Sequence, residues 1–284
     1  MNLQYDSPHT GFRNLLLLLE QHSHRLSAWH LPLYRQAGAV ALDEPLVRHP
    51  IWRNPAIDLG GLPVLVVGGL AASSEVLRPL RDWLNRIGCR PILAPTQYGV
   101  ACGQQGAIAV EEALARHVAE TGERAVIIAH SRGGQFGRTV AVRRPELLRG
   151  LITLGSPLVR LLGAHPLVLL KVFGLGVVGS LGVPGLFRAS CLWGECCRPL
   201  RADLSGPFPD DVPFLSVFSR QDEVVLWEAS LDPAARHQEI SSTHRGLVAS
   251  PAAFQLLAQE LTVLASRQPV PDASAPRAAG ALHG

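Results

Sequence analysis

Short apolar runs alternate with amphipathic stretches from residue 63 onward. Val64-Leu65-Val66-Val67 is a continuous, mostly β-branched run, the pattern of a strand buried on both faces. Gly68-Gly69 ends it, and Ser73 or Ser74 is placed to cap a following helix. In that helix Val76, Leu80, Leu84 and Ile87 share one face, and Gly88 stops it. A weak strand over Pro91–Leu93 and a helix over Gln105–Glu120 come next. Ala125-Val126-Ile127-Ile128-Ala129 predicts another buried strand, with a helix from Arg132, and Gly150 precedes a strand over Leu151–Leu154. The strand pattern resumes at Phe214–Phe218, a short strand is expected over Gln238–Ile240, and Pro251–Ala265 reads as an amphipathic helix. Strands alternating with helices predict an α/β protein, with a mostly parallel central sheet and helices on both faces.

Three segments fall outside this rhythm. Residues 1–62 read as a partly helical lead-in, with one helix over Leu15–Leu26 and an irregular path from Pro32 to Pro63 that wraps the surface. Residues 63–266 form the main domain, and the Pro/Ala-rich residues 267–284 read as a disordered tail. Within the domain, residues 158–211 interrupt the alternation. Their stretch Leu161–Phe187 is apolar and glycine-rich, but His165 and Lys171 break it. That is too broken for the ~20 apolar residues of a membrane span. A position between two strands reads as an apolar cap or lid, with ordinary core as the competing reading.

Chemistry concentrates at the end of the second buried strand. Ala129-His130-Ser131-Arg132-Gly133 places a serine between strand and helix, with small residues two before and two after it. This is the nucleophile-elbow pattern G-x-S-x-G, with Ala129 in place of the first glycine. The small residues are needed because strand and helix cross there. A serine that merely caps the helix is the competing reading. It leaves the partners of Ser131 unexplained.

Serine needs a base, and the base needs an anion to fix its tautomer. His244, in the polar loop Ser241–Leu247 before the last helix, is the candidate base. His237 reads as a surface residue and His283 falls in the tail. Asp222 lies just past the strand Phe214–Phe218 and is the candidate acid. Glu223 is expected to point elsewhere, Asp210 and Asp211 precede the strand, and Asp232 lies farther on. The backbone N–H groups of Leu70 and Arg132 are the candidate oxyanion hole.

Taken together, these residues resemble the α/β-hydrolase superfamily on its bacterial lipase/esterase side, over Pro63–Ala265. The usual His-Gly before the oxyanion residue is Gly68-Gly69 here. The resemblance implies an α/β-hydrolase fold and a serine hydrolase of carboxylic esters. Ser131 would be the nucleophile, Asp222 the acid and His244 the base, acting through an acyl-enzyme. An acyltransferase with the same triad and a non-catalytic binder of apolar ligands remain the alternatives.

Composition narrows the partners. The 284 residues suit one large α/β domain, and 47% hydrophobic with 17% charged residues excludes wholesale disorder. The 26 basic and 23 acidic residues leave a net charge of +3, too balanced to indicate nucleic acid. The expected partner is a small-molecule or lipid ester, with lipid-surface contact through the apolar insertion left open. No cofactor is expected. The cysteines are Cys89, Cys102, Cys191, Cys196 and Cys197. No second Cys/His pair stands near the last three in the chain, so the expectation is no metal, and either packing cysteines or one disulfide. Met1–Thr10 has no positive n-region, and Leu15–Leu19 is shorter than an h-region of ~7–15 residues. A cytoplasmic chain with reduced thiols is the resulting expectation.

Overall fold

Side-chain alternation divides the strands between two apolar layers. The computed structural model describes residues 44–266. Six strands form one sheet: β1 (Pro63–Val67), β2 (Arg90–Leu93), β3 (Ala125–His130), β4 (Leu148–Leu154), β5 (Phe214–Phe218) and β6 (Arg236–Glu239). Their order is β2-β1-β3-β4-β5-β6, and every neighbouring pair is parallel. Parallel neighbours require crossovers, which the helices supply on both faces. The helices are α1 (Glu44–Arg48), α2 (Pro50–Arg53), α3 (Ser74–Arg86), α4 (Gly103–Thr121), α5 (Gly133–Arg143), α6 (Pro166–Ser180), α7 (Arg198–Ser205) and α8 (Pro251–Ser266).

Val64, Val66, Val126, Ile128, Ile152 and Val217 pack into one layer with Leu80, Trp83, Phe254 and Leu257 of α3 and α8. Leu65, Val67, Ile127, Ala129 and Leu151 face the other layer, with Val110, Leu114 and Phe136 of α4 and α5. Burial on both sides is why these strands read as unbroken apolar runs. Gly150 lies inside β4 rather than before it. A Cβ there would meet Leu264 at 2.9 Å, so the glycine lets α8 approach the sheet. On α3 the inward positions go to Leu77, Leu80, Trp83 and Leu84, while Val76 is half-buried. The fully buried Trp83 packs between α3 and α8.

Residues 44–62 depart from the expected surface path. Leu46 is fully buried and Trp52 is 7% exposed. The Trp83 indole N–H donates to the Ile51 carbonyl at 2.9 Å. Phe254 stacks at 4.7 Å from Trp83 and 6.1 Å from Trp52. Aromatic area of this size docks the segment onto α3 and α8. The expected helix over Leu15–Leu26 and the expected tail over 267–284 lie outside the described residues.

Residues 158–211 divide in two. In α6 the buried residues are Gly176 and Gly179, and Leu170, Phe173 and Val177 are exposed. The following α7 packs into the body. Leu200 joins the α4–α5 layer, and the Asp203 carboxylate accepts from Arg143 at 2.7 Å. Among the described residues no helix is long and apolar enough to cross a membrane.

Phe254→Ala removes the middle ring of the Trp52–Phe254–Trp83 stack. A loss of about 3–5 kcal/mol is expected, read as a lower urea midpoint at unchanged slope.

Candidate active site

The sheet reverses its winding between β1 and β3, and crevices form beyond the carboxyl ends of strands at such a switch point. Ser131 follows β3 at that place. Its N–H donates to the Leu154 carbonyl at 2.9 Å, adding one more bond to the β3–β4 ladder. Its φ of +55° then turns the chain sharply into α5. A left-handed backbone at a residue with a side chain costs of order 1–3 kcal/mol, and close packing holds it here. A Cβ on Gly133 would lie 2.5 Å from the Val67 carbonyl oxygen, and one on Gly134 would lie 2.2 Å from Ser156 Oγ. Ala129 is tolerated two residues before the serine because Gly137 of α5 faces it. A Cβ on Gly137 would reach the Ala129 methyl at 3.3 Å.

The loop after β1 lies against this turn. A Cβ on Gly69 would meet Ser131 Cβ at 2.6 Å and the Arg132 backbone nitrogen at 2.9 Å. Gly99 backs the same loop, since its Cβ would meet the Leu70 nitrogen at 3.0 Å. Among the described residues neither the Leu70 nor the Arg132 backbone N–H donates to a protein acceptor. The Arg132 side chain turns away from the serine. It donates to the Gly99 and Ala101 carbonyls and lies over the rings of Phe136 and Phe187, at 5.4 and 5.3 Å. Burial holds its pKa below the ordinary value, and the cysteines beside it, Cys197 first, push it back up.

Asp222 and His244 meet at the ends of β4 and β5. His244 Nδ1 is 2.7 Å from Asp222 Oδ2, and both side chains are buried. The other carboxylate oxygen accepts the backbone N–H groups of Val224 and Val225, each at 2.8 Å. Those bonds fix the carboxylate so that Oδ2 is aimed at the imidazole. Gly155, with φ +54°, makes room. A Cβ there would stand 2.8 Å from Asp222 Oδ2 and 3.3 Å from His244 Nδ1.

His130 was not singled out from the sequence, where it sits as one polar residue ending an apolar strand. Its ring packs 4.5 Å from that of His244, and its Nε2 is 3.0 Å from the His244 carbonyl oxygen. A carbonyl can only accept, so Nε2 carries the proton. The buried Nδ1 has no hydrogen-bond partner among the described residues. Burial, and then the neighbouring His244, push the pKa of His130 from 6.5 down to about 3. The neutral ring thus anchors the backbone of His244.

The other candidates stand apart. Glu223 accepts the His244 backbone N–H at 3.4 Å rather than the ring. Asp232 is held by Arg138 in a buried ion pair, and its carbonyl oxygen is 2.8 Å from His237 Nε2. His237 is exposed. Asp210 lines a cleft with Arg236 and Glu260 at the amino end of β5, the far end of the sheet. The absence of a metal was expected because Cys191, Cys196 and Cys197 have no partner pair nearby in the chain. The fold corrects that premise by bringing Cys102 to them.

No family model and no curated protein matches the chain. Solved structures do. One is the mature form of lipase BlEst2 from Bacillus licheniformis, with TM-score 0.54 and 15% identity over 72% of this chain and 94% of that one. Another is a monoacylglycerol lipase from Paleococcus ferrophilus, with TM-score 0.50 and 17% identity over 72% and 96%. A third is Aspergillus fumigatus lipase B, with TM-score 0.50 and 16% identity over 78% and 59%. The chain has the α/β-hydrolase fold.

Folding lowers the His130 pKa, so below its ordinary 6.5 the unfolded chain takes up a proton that the native chain refuses. Stability is therefore unaffected by this group above pH 6.5 and falls as the pH drops toward 3. The expected slope is about 1 kcal/mol per pH unit in urea unfolding. His130→Gln should flatten it, and nitrogen NMR of the wild type should show this ring still neutral at mildly acidic pH.

Proposed function

We propose that the chain is a serine hydrolase that cleaves carboxylic esters. The observation that carries this reading is the buried Asp222–His244 bond, packed on His130, the residue just before a serine with positive φ. Ser131 Oγ attacks the ester carbonyl while its proton passes to His244 Nε2. Asp222 holds the opposite ring N–H and stabilises the imidazolium. The N–H groups of Leu70 and Arg132 donate to the oxyanion, each worth ~3 kcal/mol when well placed. His244 returns the proton to the leaving alcohol, and water repeats the cycle on the acyl-enzyme. None of these steps uses a metal or an organic cofactor.

The apolar character of the substrate rests on residues 158–211, which we read as a cap over the site. Phe187 lies over the Arg132 guanidinium, one residue from the nucleophile. Gln135 of α5 donates to the Pro157 and Leu161 carbonyls at the entry to the segment. The exposed face of α6, with Leu170 69% and Val177 54% accessible, suits contact with an aggregated ester. The lipases of similar fold agree with this substrate class.

A fluorophosphonate probe should label Ser131, located by mass spectrometry, and denaturation beforehand should abolish the label. A folded chain that stays unlabelled, with or without detergent, overturns the reading. Ser131→Ala should lower kcat about 10⁶-fold and Asp222→Ala about 10⁴-fold. Leu170→Ser should slow turnover of emulsified long-chain esters and leave soluble short-chain esters unaffected. Equal loss on both would remove the role given to α6.

A further inference from the structure

Four of the five cysteines converge on one point beside the Arg132 side chain, and none of them takes part in the ester chemistry. Cys102, at the N-cap of α4, arrives from the loop after β2. Cys191 lies in the short turn Ala189–Leu192, and Cys196 and Cys197 lie in the turn Glu195–Cys197 that leads into α7. All four are free thiols, and their Sγ atoms lie within 4.8 Å of one another. The close pairs are Cys102–Cys197 at 3.4 Å, Cys191–Cys196 at 3.6 Å and Cys196–Cys197 at 3.8 Å.

We propose that Cys102, Cys191, Cys196 and Cys197 form a structural tetrathiolate zinc site. Zinc–sulfur bonds of ~2.3 Å in a tetrahedron set the sulfurs about 3.8 Å apart, the spacing already found among the close pairs. Four thiolates are the donor set of a closed zinc site and suit a soft, tetrahedral metal. Four protein ligands leave no open position, so the metal is structural and takes no part in the ester chemistry.

The surroundings suit the charge. Zinc with four thiolates carries two net negative charges, and a cation stands beside the cluster. A Cβ on Gly103 would be 3.5 Å from the Arg132 guanidinium and 3.7 Å from Cys197 Sγ, so the two flank one backbone position. The backbone N–H groups of Gln105 and Gln104, at the start of α4, also face Cys102.

Cys102 and Cys197 are 95 residues apart. Metal there closes a long loop and clips the segment after α6 to the loop that carries Gly99 and Ala101. Arg132 donates to both of those carbonyls. The site therefore fixes the insertion against the residue that follows the nucleophile.

The test is metal analysis of the untagged full-length chain, purified without chelator, beside Cys196→Ser. Cys196 is exposed, so that change leaves the packing of the fold intact. Equimolar zinc is expected in the wild type. Cobalt exchanged into the site should give the visible and near-ultraviolet bands of a tetrahedral thiolate complex. The variant should bind zinc at least about 10-fold more weakly, the smallest loss typical even of outer-shell changes. Zinc retained at full affinity by Cys196→Ser overturns the proposal. So does a folded wild type that binds neither zinc nor cobalt after reduction, with its cysteines counted as free thiols or disulfides. Iron in place of zinc overturns the metal assigned. Fluorophosphonate labelling of Ser131 reads the ester-hydrolase proposal separately.

Discussion

The approach of α5 to the end of β1 sets the geometry on which the site depends. Gly133 passes so near the Val67 carbonyl that a methyl group would collide with it. That contact forces the turn at Ser131 to be tight, and a tight turn leaves the serine at positive φ. The same crossing brings the loop of Gly69 and Leu70 against the elbow. The positive φ of Ser131 and the packing of the Gly69–Leu70 loop against it are thus consequences of one steric arrangement, and glycine-sized gaps at Gly133, Gly134 and Gly137 maintain it.

A second arrangement places His244. The His244 loop leads into the short turn Gly246–Val248, and side chains tie His244 itself in place. Asp222 fixes one ring nitrogen, Glu223 takes the backbone N–H, and the neutral ring of His130 takes the carbonyl. Burial keeps His130 neutral, so its ring contact with His244, 4.5 Å between centroids, brings no charge against that ring.

Much of this was legible in the chain. The buried strands announced themselves as β-branched runs, and the elbow carried its own steric signature in Ala129 and Gly133. Asp222 and His244, singled out for their places after predicted strands, are brought together by the fold. What escaped was set by distances the linear chain does not express. His130 looks like the polar end of a strand until the His244 loop folds over it. Cys102 looks isolated until α4 and the insertion converge. Leu46 and Trp52 sit among prolines and polar residues, so their docking became visible with Phe254 and Trp83 in place.

Among the described residues the sheet ends at β2 and β6, and both margins are poor templates for another strand. β2 carries Pro91, which lacks an N–H to offer. β6 presents Arg236 and Glu239 to solvent, tied to Glu260 and Arg220. Charge and proline at open edges discourage edge-to-edge sheet growth between copies. The chain can therefore expose an apolar helix elsewhere without also presenting a nucleus for fibrils, so the molecule's exposed stickiness and its sheet margins are kept on different elements.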